Sequence, residues 1–262
     1  GHWHDAPVQR VTLAPGESAL RETDWEVPYD PPPPSGSYDV AMSVWDEHPA
    51  RADAEKRLAD ARREDSFRVS GLRDGFGSLD KRNWEISTKE LGRGSLAPEN
   101  VRVGDSRLEL KLPTDTFDGG EIKSKKLYQY GSYRARVKVA DAPSSLTGFF
   151  LYKAPDLENE LDIEIFNDSS RRIMFTTYSG GEETNNVRKK LPFDPTEDFH
   201  DYRFDFYPDR AEFYVDGELM HSFDEGLPEK AMNLYVNAWF PTWLSGTRPE
   251  KTSYTYVEWL RH

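Results

Sequence analysis

Three acidic residues alternate with apolar residues in one short stretch of the chain, residues 159–167. We call Glu160, Asp162 and Glu164 the acid ladder. Because successive side chains of a β-strand point to opposite faces, the three carboxyl groups would share one face while the residues between them enter a core. Crowded carboxyl groups repel, which raises the pKa of at least one of them. Since perturbed carboxyl groups gather at functional sites, the pattern favours a catalytic site over a solvated sheet face.

Hydrolysis of a glycosidic bond needs two carboxyl groups in different protonation states. One is charged and attacks or stabilises the anomeric carbon, and the other holds a proton for the leaving oxygen. A retaining enzyme places the two groups roughly 5–5.5 Å apart. The Cα atoms of Glu160 and Glu164 would be about 13 Å apart in a flat strand, which favours a neighbouring pair that includes Asp162. Long glutamate side chains on a curved strand could also close the gap, so both pairings stay open.

Other residues have the chemistry of a sugar-binding cleft. Aromatic rings stack on the apolar faces of sugars, and amide or carboxylate groups pair with sugar hydroxyl groups. Taken one at a time, each aromatic residue is more often part of a core, but the acid ladder nearby reverses that balance. The candidates are Glu121, Tyr152, Tyr178, Asn237, Trp239 and Trp243.

The composition restricts what the chain can bind. Its 262 residues carry a net charge of −13, so we expect neither nucleic acid nor an anionic membrane as a partner. The absence of cysteine excludes disulfides, thiolate metal sites and thiol nucleophiles. No apolar run approaches the ~20 residues of a membrane span. No signal peptide is recognisable, and we expect a secreted protein whose leader is not in this chain.

The acid ladder needs strands to position it, and the sequence predicts many. From residue 71 onward turn signals recur every eight to twelve residues and helical periodicity is absent. The pair Asp216–Gly217 marks a tight hairpin. Short antiparallel strands in this number predict an all-β sandwich or jelly roll over residues 71–262. The predicted strands are 101–103, 107–112, 120–126, 131–139, 147–152, 160–166, 172–178, 200–207, 210–215, 233–239 and 255–260.

Residues 1–70 are predicted to form a separate small β module with a charged linker. Strands are expected at residues 8–13, 24–27, 38–44 and 66–69, with a stiff proline run at 31–34. Residues 51–65 mix acids, bases and alanines, which predicts a short exposed helix or a mobile loop. The pattern resembles the last strands of an immunoglobulin-like β-sandwich, either truncated or completed by its neighbour. We expect no catalytic residue in this module.

The run Glu160-Leu-Asp-Ile-Glu164 resembles the signature of glycoside hydrolase family 16, in the form without an inserted bulge residue. That form is typical of bacterial licheninases and plant xyloglucan transglycosylases. The similarity extends from about residue 76 to the C-terminus. It includes, in order, the motifs GEIKS at 120–124, YGSY at 130–133, GFFLY at 148–152, FHDY at 199–202, FYVDG at 213–217 and NAW at 237–239.

The resemblance implies a concanavalin-like β-jelly roll with an open cleft on its concave face, and a retaining double displacement. It makes Glu160 the nucleophile, Glu164 the acid/base and Asp162 the acid that tunes the pair. Lys123 stands where licheninases carry arginine, and Phe150 belongs to a matching motif. Both therefore join the predicted substrate-binding residues, among which Glu121, Tyr152, Tyr178, Asn237 and Trp239 fall where the family places sugar-contacting groups.

The resemblance also suggests the substrate and the ions involved. It points to a neutral β-glucan, mixed-linkage β-1,3-1,4-glucan first. The alternatives are a laminarin hydrolase, a glucan transglycosylase and a non-catalytic carbohydrate-binding protein. No cofactor and no catalytic metal are expected. Family members often bind a structural calcium, for which Glu258 stands where aspartate is usual. We expect a monomer.

Overall fold

The computed structural model describes residues 72–262 in full, together with the backbone of two preceding strands. The chain divides into two units, Gly1–Gly71 and Leu72–His262. The strands in chain order are β1 (Gly36–Trp45), β2 (Arg57–Val69), β3 (Arg73–Asp74), β4 (Trp84–Ile86), β5 (Lys89–Leu91), β6 (Gly94–Leu96), β7 (Val101–Gly104), β8 (Arg107–Leu112), β9 (Gly120–Tyr128), β10 (Gly131–Lys138), β11 (Leu146–Lys153), β12 (Asn159–Phe166), β13 (Arg172–Ser179), β14 (Glu182–Lys190), β15 (His200–Phe206), β16 (Ala211–Val215), β17 (Glu218–Phe223), β18 (Met232–Trp239) and β19 (Ser253–Arg261).

In the first unit the structure describes an antiparallel hairpin of β1 and β2, in which Met42 lies opposite Ala61. The strand predicted at residues 38–44 is confirmed. The helix or loop predicted over 51–65 is wrong from Arg57 onward, because those residues pair with β1 in a ladder. Pairing with β1 determines the conformation of this segment, and the mixed charges of its sequence did not indicate that pairing. The strands predicted at residues 8–13 and 24–27 lie outside the described residues, and an immunoglobulin-like arrangement is therefore not shown.

The second unit is an all-β sandwich of two antiparallel sheets, as predicted. The front sheet has seven strands in the order β14-β13-β12-β11-β18-β9-β4. The back sheet has the order β17-β16-β15-β10-β19-β8-β7, with β3 paired to β19. The short hairpin of β5 and β6 stands apart from both sheets. Each strand predicted from residue 101 onward is present, with its ends within two residues of the predicted ones.

The core lies between the two sheets and is formed by alternate residues of each strand. Leu161, Ile163 and Ile165 of β12 are fully buried in it, which confirms the inward half of the alternation around the acid ladder. Aromatic side chains join the sheets: the rings of Phe149 and Phe204 lie 5.1 Å apart between centroids. Burial of each such side chain stabilises the fold by about 1.5–3 kcal/mol. The opposite face of the front sheet is thereby left for polar side chains.

Strand β14 is an element that the sequence analysis did not predict. Its sequence, EETNNVRKK, is polar at all positions but one, because β14 forms the edge of the front sheet. The predicted Asp-Gly hairpin joins β16 to β17, where Asp216 and Gly217 both have positive φ, at 49° and 86°. Glycine adopts that backbone conformation without steric cost. No helix within the described residues is long and apolar enough to cross a membrane.

Candidate active site

The acid ladder stands at the middle of the front sheet, on the face turned away from the core. Each acid has a partner on either neighbouring strand: Glu160 lies between Tyr152 and Tyr178, Asp162 between Phe150 and Thr176, and Glu164 between Gly148 and Met174. Since all of these residues share one face, the side chains form three parallel rows across the strands. A cleft follows the rows, and all three acids line it.

The environment of the acids changes their ionisation. Burial is the largest cause for each of them, because desolvation disfavours the charged form. Burial and the neighbouring acids Asp156 and Glu121 raise the pKa of Glu160 to about 7. Burial and the charges of Glu160 and Glu183 raise the pKa of Glu164 to about 8, against the opposing charge of Arg188. The two glutamates are thus prepared to hold different protonation states near neutral pH.

Asp162, between them, is 4% exposed, and its pKa is raised well above the ordinary value. Burial comes first among the causes, followed by the charges of Glu160 and Glu164. A hydrogen bond between Asp162 and Glu160 raises the pKa of Asp162 and lowers that of Glu160. The two carboxyl groups are therefore coupled, and their hydrogen bond favours the charged form of Glu160 over that of Asp162. Asp162 therefore favours a charged Glu160.

Beside the acids, one hydrogen-bonded group fixes the orientation of a further carboxylate. Asn237 Nδ2 donates to Glu121 Oε2 at 2.9 Å, and Asn237 Oδ1 accepts from the Gly148 backbone N–H at 3.1 Å. Lys89 Nζ lies 3.3 Å from Glu121 Oε1. A Cβ atom at residue 148 would lie 2.6 Å from Asn237 Oδ1, so glycine is required for this contact. Glu121 and Asn237 are 1% and 3% exposed, and their charge and dipole are held in a fixed direction.

Aromatic rings form one wall of the cleft. The rings of Phe150 and Tyr235 are stacked, with centroids 4.9 Å apart. Tyr152 meets Tyr235 edge to face at 5.8 Å and donates a hydrogen bond to the Asp156 carboxylate. Trp239 lines the cleft at the end of β18. Rings and carboxylates placed side by side are suited to a ligand with both apolar faces and hydroxyl groups.

Most of the predicted site residues meet in this cleft, and others lie beside it. The predicted residues that line the cleft are Glu121, Phe150, Tyr152, Glu160, Asp162, Glu164, Asn237 and Trp239. Lys123 lies opposite Tyr235 on β9, with its Nζ atom 6.0 Å from the centre of that ring. Tyr178 lies beside Glu160, and its hydroxyl group donates to Glu183 at 3.3 Å. Trp243 is 48% exposed and packs edge to face on Phe166.

Sequence reasoning did not predict five of the lining residues: Lys89, Leu91, Gly148, Asp156 and Tyr235. One of them had a signal, because Tyr235 alternates with Asn237 and Trp239 and therefore shares their face of β18. Lys89 and Leu91 belong to the β5–β6 hairpin, which lies outside both sheets and which no alternation connects to the cleft.

The position suggested for calcium does not fit a cation. The Oε2 atom of Glu258 is paired with Arg136 Nε at 2.9 Å, and Arg136 also binds Asp201 at 2.7 Å. A guanidinium group already neutralises the carboxylate that would have to ligate the ion. Within the described part of the chain, no group of three or more His, Cys, Asp or Glu residues is arranged to hold a metal.

The chain is similar to known proteins in sequence and in fold. The model of the family "Glycosyl hydrolases family 16" matches residues 93–261. A β-glucanase of Bacillus amyloliquefaciens is 30% identical over 168 residues, which are 61% of this chain and 70% of that protein. A β-glucanase of Acetivibrio thermocellus is 28% identical over 204 residues, and the chain spans 60% of its length. The structure of the Bacillus licheniformis β-glucanase superposes with a TM-score of 0.68 at 24% identity, covering 74% of this chain and 97% of that one.

Proposed function

Because the chain belongs to glycosyl hydrolase family 16, we propose that this glycoside hydrolase is a retaining endo-β-glucanase that cleaves mixed-linkage β-1,3-1,4-glucan. The observation that carries the proposal is the acid ladder itself. Its three carboxyl groups line one cleft, and the pKa of Glu164 is raised further than that of Glu160. That order supports a charged nucleophile beside a protonated acid.

In the proposed mechanism Glu160 attacks the anomeric carbon while Glu164 protonates the leaving oxygen, which gives a glycosyl-enzyme ester and a shortened glucan. Glu164, now a carboxylate, takes a proton from water, and the resulting hydroxide displaces Glu160 with overall retention. Asp162 supports both steps by donating a hydrogen bond to Glu160 when that group is charged. Exchange of the incoming water for a sugar hydroxyl would give transglycosylation by the same first step.

The shape of the cleft and the net charge of the chain support the proposed substrate. Phe150, Tyr152 and Trp239 offer ring surfaces along an open cleft, which favours binding of several consecutive sugars and internal cleavage. The net charge of −13 disfavours a polyanionic glycan. The β-glucanases that the chain resembles support a glucan as substrate. The proposed order of preference is lichenan before laminarin or xyloglucan.

The domain arrangement, the oligomeric state and the location of the protein are also proposed. We place all catalysis in residues 72–262, because every residue described around the cleft lies there. We expect the enzyme to act as a monomer, measurable by light scattering. We also expect it to act outside the cell, where a polymeric glucan would be met.

Replacement of the two glutamates tests the catalytic assignment. Glu160→Gln and Glu164→Gln should each lower turnover on lichenan by several orders of magnitude, and Asp162→Asn should cost less. Glu182→Gln, an exposed acid outside the cleft, is the matched control. With an activated aryl glucoside and azide, Glu164→Ala should give a β-glycosyl azide and Glu160→Ala an α-glycosyl azide. Swapped products would exchange the two roles, and unchanged turnover in either Gln variant would refute the proposal.

Analysis of the products decides between the related activities. Short oligosaccharides from lichenan, and none from laminarin, xyloglucan or agarose, are the expected result. Products longer than the starting oligosaccharide would identify a transglycosylase. Binding of lichenan without any cleavage would identify a carbohydrate-binding protein.

A further inference from the structure

Two cations lie near the acid ladder, and the proposed mechanism uses neither. Lys89 comes from β5 and lines the cleft near Glu121 and Glu160. Arg188 comes from β14, in the cross-strand row of Glu164 and Met174. Lys89 precedes residues 93–261, the part of the chain that the family model matches. The family motifs in the sequence therefore gave no indication that Lys89 lies in the cleft.

The ammonium group of Lys89 is positioned by contacts with other residues of the site. Its Nζ atom is 3.3 Å from Glu121 Oε1, a buried oxygen that has no other partner among the described residues. The Nζ atom also lies 5.8 Å from the centre of the Tyr235 ring. A buried carboxylate without its cation would be costly, because nothing else neutralises that oxygen. The ammonium group thus has a fixed partner and a fixed place beside the acid ladder.

Arg188, on the edge strand β14, is held by different contacts. Its Nε atom donates to Met174 Sδ at 3.5 Å, and its guanidinium carbon lies 5.7 Å from the centre of the Trp243 ring. Met174 lies between Arg188 and Glu164 in the row, so the cation acts on Glu164 through space and not through a direct ion pair. Glu160 therefore shares the cleft with Lys89, and Glu164 shares its cross-strand row with Arg188.

We infer that Lys89 and Arg188 are positioning residues that set the charge states of Glu160 and Glu164 separately, Lys89 favouring the carboxylate of Glu160 and Arg188 that of Glu164. The inference rests on the proposed function, because it assumes that these two glutamates carry the reaction. It assigns a role to two residues outside the catalytic strand, Lys89 on β5 and Arg188 on β14.

Other titratable groups surround the two glutamates, and one of them, Asp162, also lowers the pKa of Glu160 through its hydrogen bond. Those facing Glu160 are Asp162 on its own strand, Tyr152 on β11, Asp156 after β11, Tyr178 on β13 and Glu121 on β9. Those facing Glu164 are Glu160 and Asp162 on its own strand, Tyr178 on β13 and Glu183 on β14. All of these groups are acidic. Lys89 lowers the pKa of Glu160, and Arg188 lowers that of Glu164.

The test is the pH dependence of kcat/KM for the full chain on an activated aryl β-oligoglucoside. The acid limb should report ionisation of Glu160 and the alkaline limb deprotonation of Glu164. Lys89→Met should move the acid limb to higher pH by about 0.5 unit, the size of an exposed-pair interaction, and leave the alkaline limb in place. Arg188→Met should move the alkaline limb upward and leave the acid limb in place.

Two conservative variants separate charge from contact at residue 89. Lys89→Arg keeps the charge and should keep the acid limb where the native enzyme has it. Lys89→Gln keeps a donor for Glu121 without the charge and should behave like Lys89→Met. Melting temperatures of all variants show whether the fold is retained. An acid limb that stays in place in folded Lys89→Met and Lys89→Gln, or that moves equally in Lys89→Arg, would overturn the inference.

Failure of the inference is distinguishable from failure of the proposed function. If Glu160→Gln and Glu164→Gln are inactive but neither limb responds to the two cations, the mechanism stands and the inference is wrong. If either Gln variant is fully active, the assignment of the glutamates fails first. If Lys89→Met and Arg188→Met each moved both limbs of the pH profile by the same amount, the inference that the two cations act separately would also be wrong.

Discussion

Asn237 and Glu121 are joined across β18 and β9 by a 2.9 Å hydrogen bond from the Asn237 amide to Glu121 Oε2. The same amide group accepts a hydrogen bond from the Gly148 backbone on the other side. One asparagine therefore connects the middle of the catalytic sheet to a buried carboxylate at its side. Three strands must be in register for this contact to exist.

Gly148→Ala is expected to disturb this connection. Its Cβ atom would lie 2.6 Å from Asn237 Oδ1, so Asn237 must rotate and Glu121 loses its donor. We expect kcat/KM on lichenan to fall by an amount equivalent to about 1–3 kcal/mol. Gly77→Ala, where no atom lies within 4 Å of an added Cβ, is the control. Kinetics of Gly148→Ala that match those of the control would show that Glu121 needs no fixed orientation.

The two tryptophans near the cleft should differ in their contribution to substrate binding. Trp239 lines the cleft, whereas Trp243 is 48% exposed and lies outside its lining. Trp239→Ala should weaken turnover of long glucans by about 1–3 kcal/mol, and Trp243→Ala by less. Comparison of kcat/KM on lichenan and on a short aryl glucoside measures the difference. An equal loss in the two variants would show that the cleft extends over Trp243.

The acid ladder should lower stability at alkaline pH. The pKa of Glu160 is raised to about 7 and that of Glu164 to about 8, so the folded state binds more protons than the unfolded state above about pH 4.5. Stability is therefore lost as pH rises from about 4.5, and the loss is complete once pH has passed both raised pKa values. Glu164→Gln carries no such charge and should gain stability over the native protein between pH 5 and 9. Denaturant unfolding at several pH values measures this, and a constant difference between the two proteins would contradict it.

His262 should have the opposite effect in acid. Burial lowers the pKa of His262 to about 4, against the smaller opposing effect of a hydrogen bond with the Tyr130 backbone. The unfolded state, with a pKa near 6.5, binds more protons between pH 4 and 6.5, so stability falls as the pH falls through that window. The full effect is up to about 3 kcal/mol. In His262→Phe, the stability difference from the native protein should change across that window; a flat difference would refute the assignment.

Removal of residues 1–71 should leave catalysis intact. All described residues around the cleft lie in Leu72–His262. A chain that begins at Leu72 is expected to keep the native kcat on a short soluble substrate. Circular dichroism must first show that it folds. A folded but inactive product would show that the first unit supplies part of the site.

The sequence by itself determined the features that depend on neighbours along the chain. The alternation in residues 159–167 placed three acids on one face and three apolar side chains in the core, because a strand has a two-residue period. The Asp216–Gly217 turn was identifiable because few residues accept positive φ at both positions. Tyr235 follows from the same rule, once its strand is aligned with Asn237 and Trp239.

Only the tertiary structure decided which faces meet. The Glu121–Asn237–Gly148 connection depends on the order β9-β18-β11, which brings together residues far apart in sequence. Lys89 reaches the cleft from a hairpin outside both sheets, and Arg188 joins the row of Glu164 from a polar edge strand that lacks a hydrophobic pattern. Strand order is fixed by packing of the whole sandwich, and a local pattern carries no information about it.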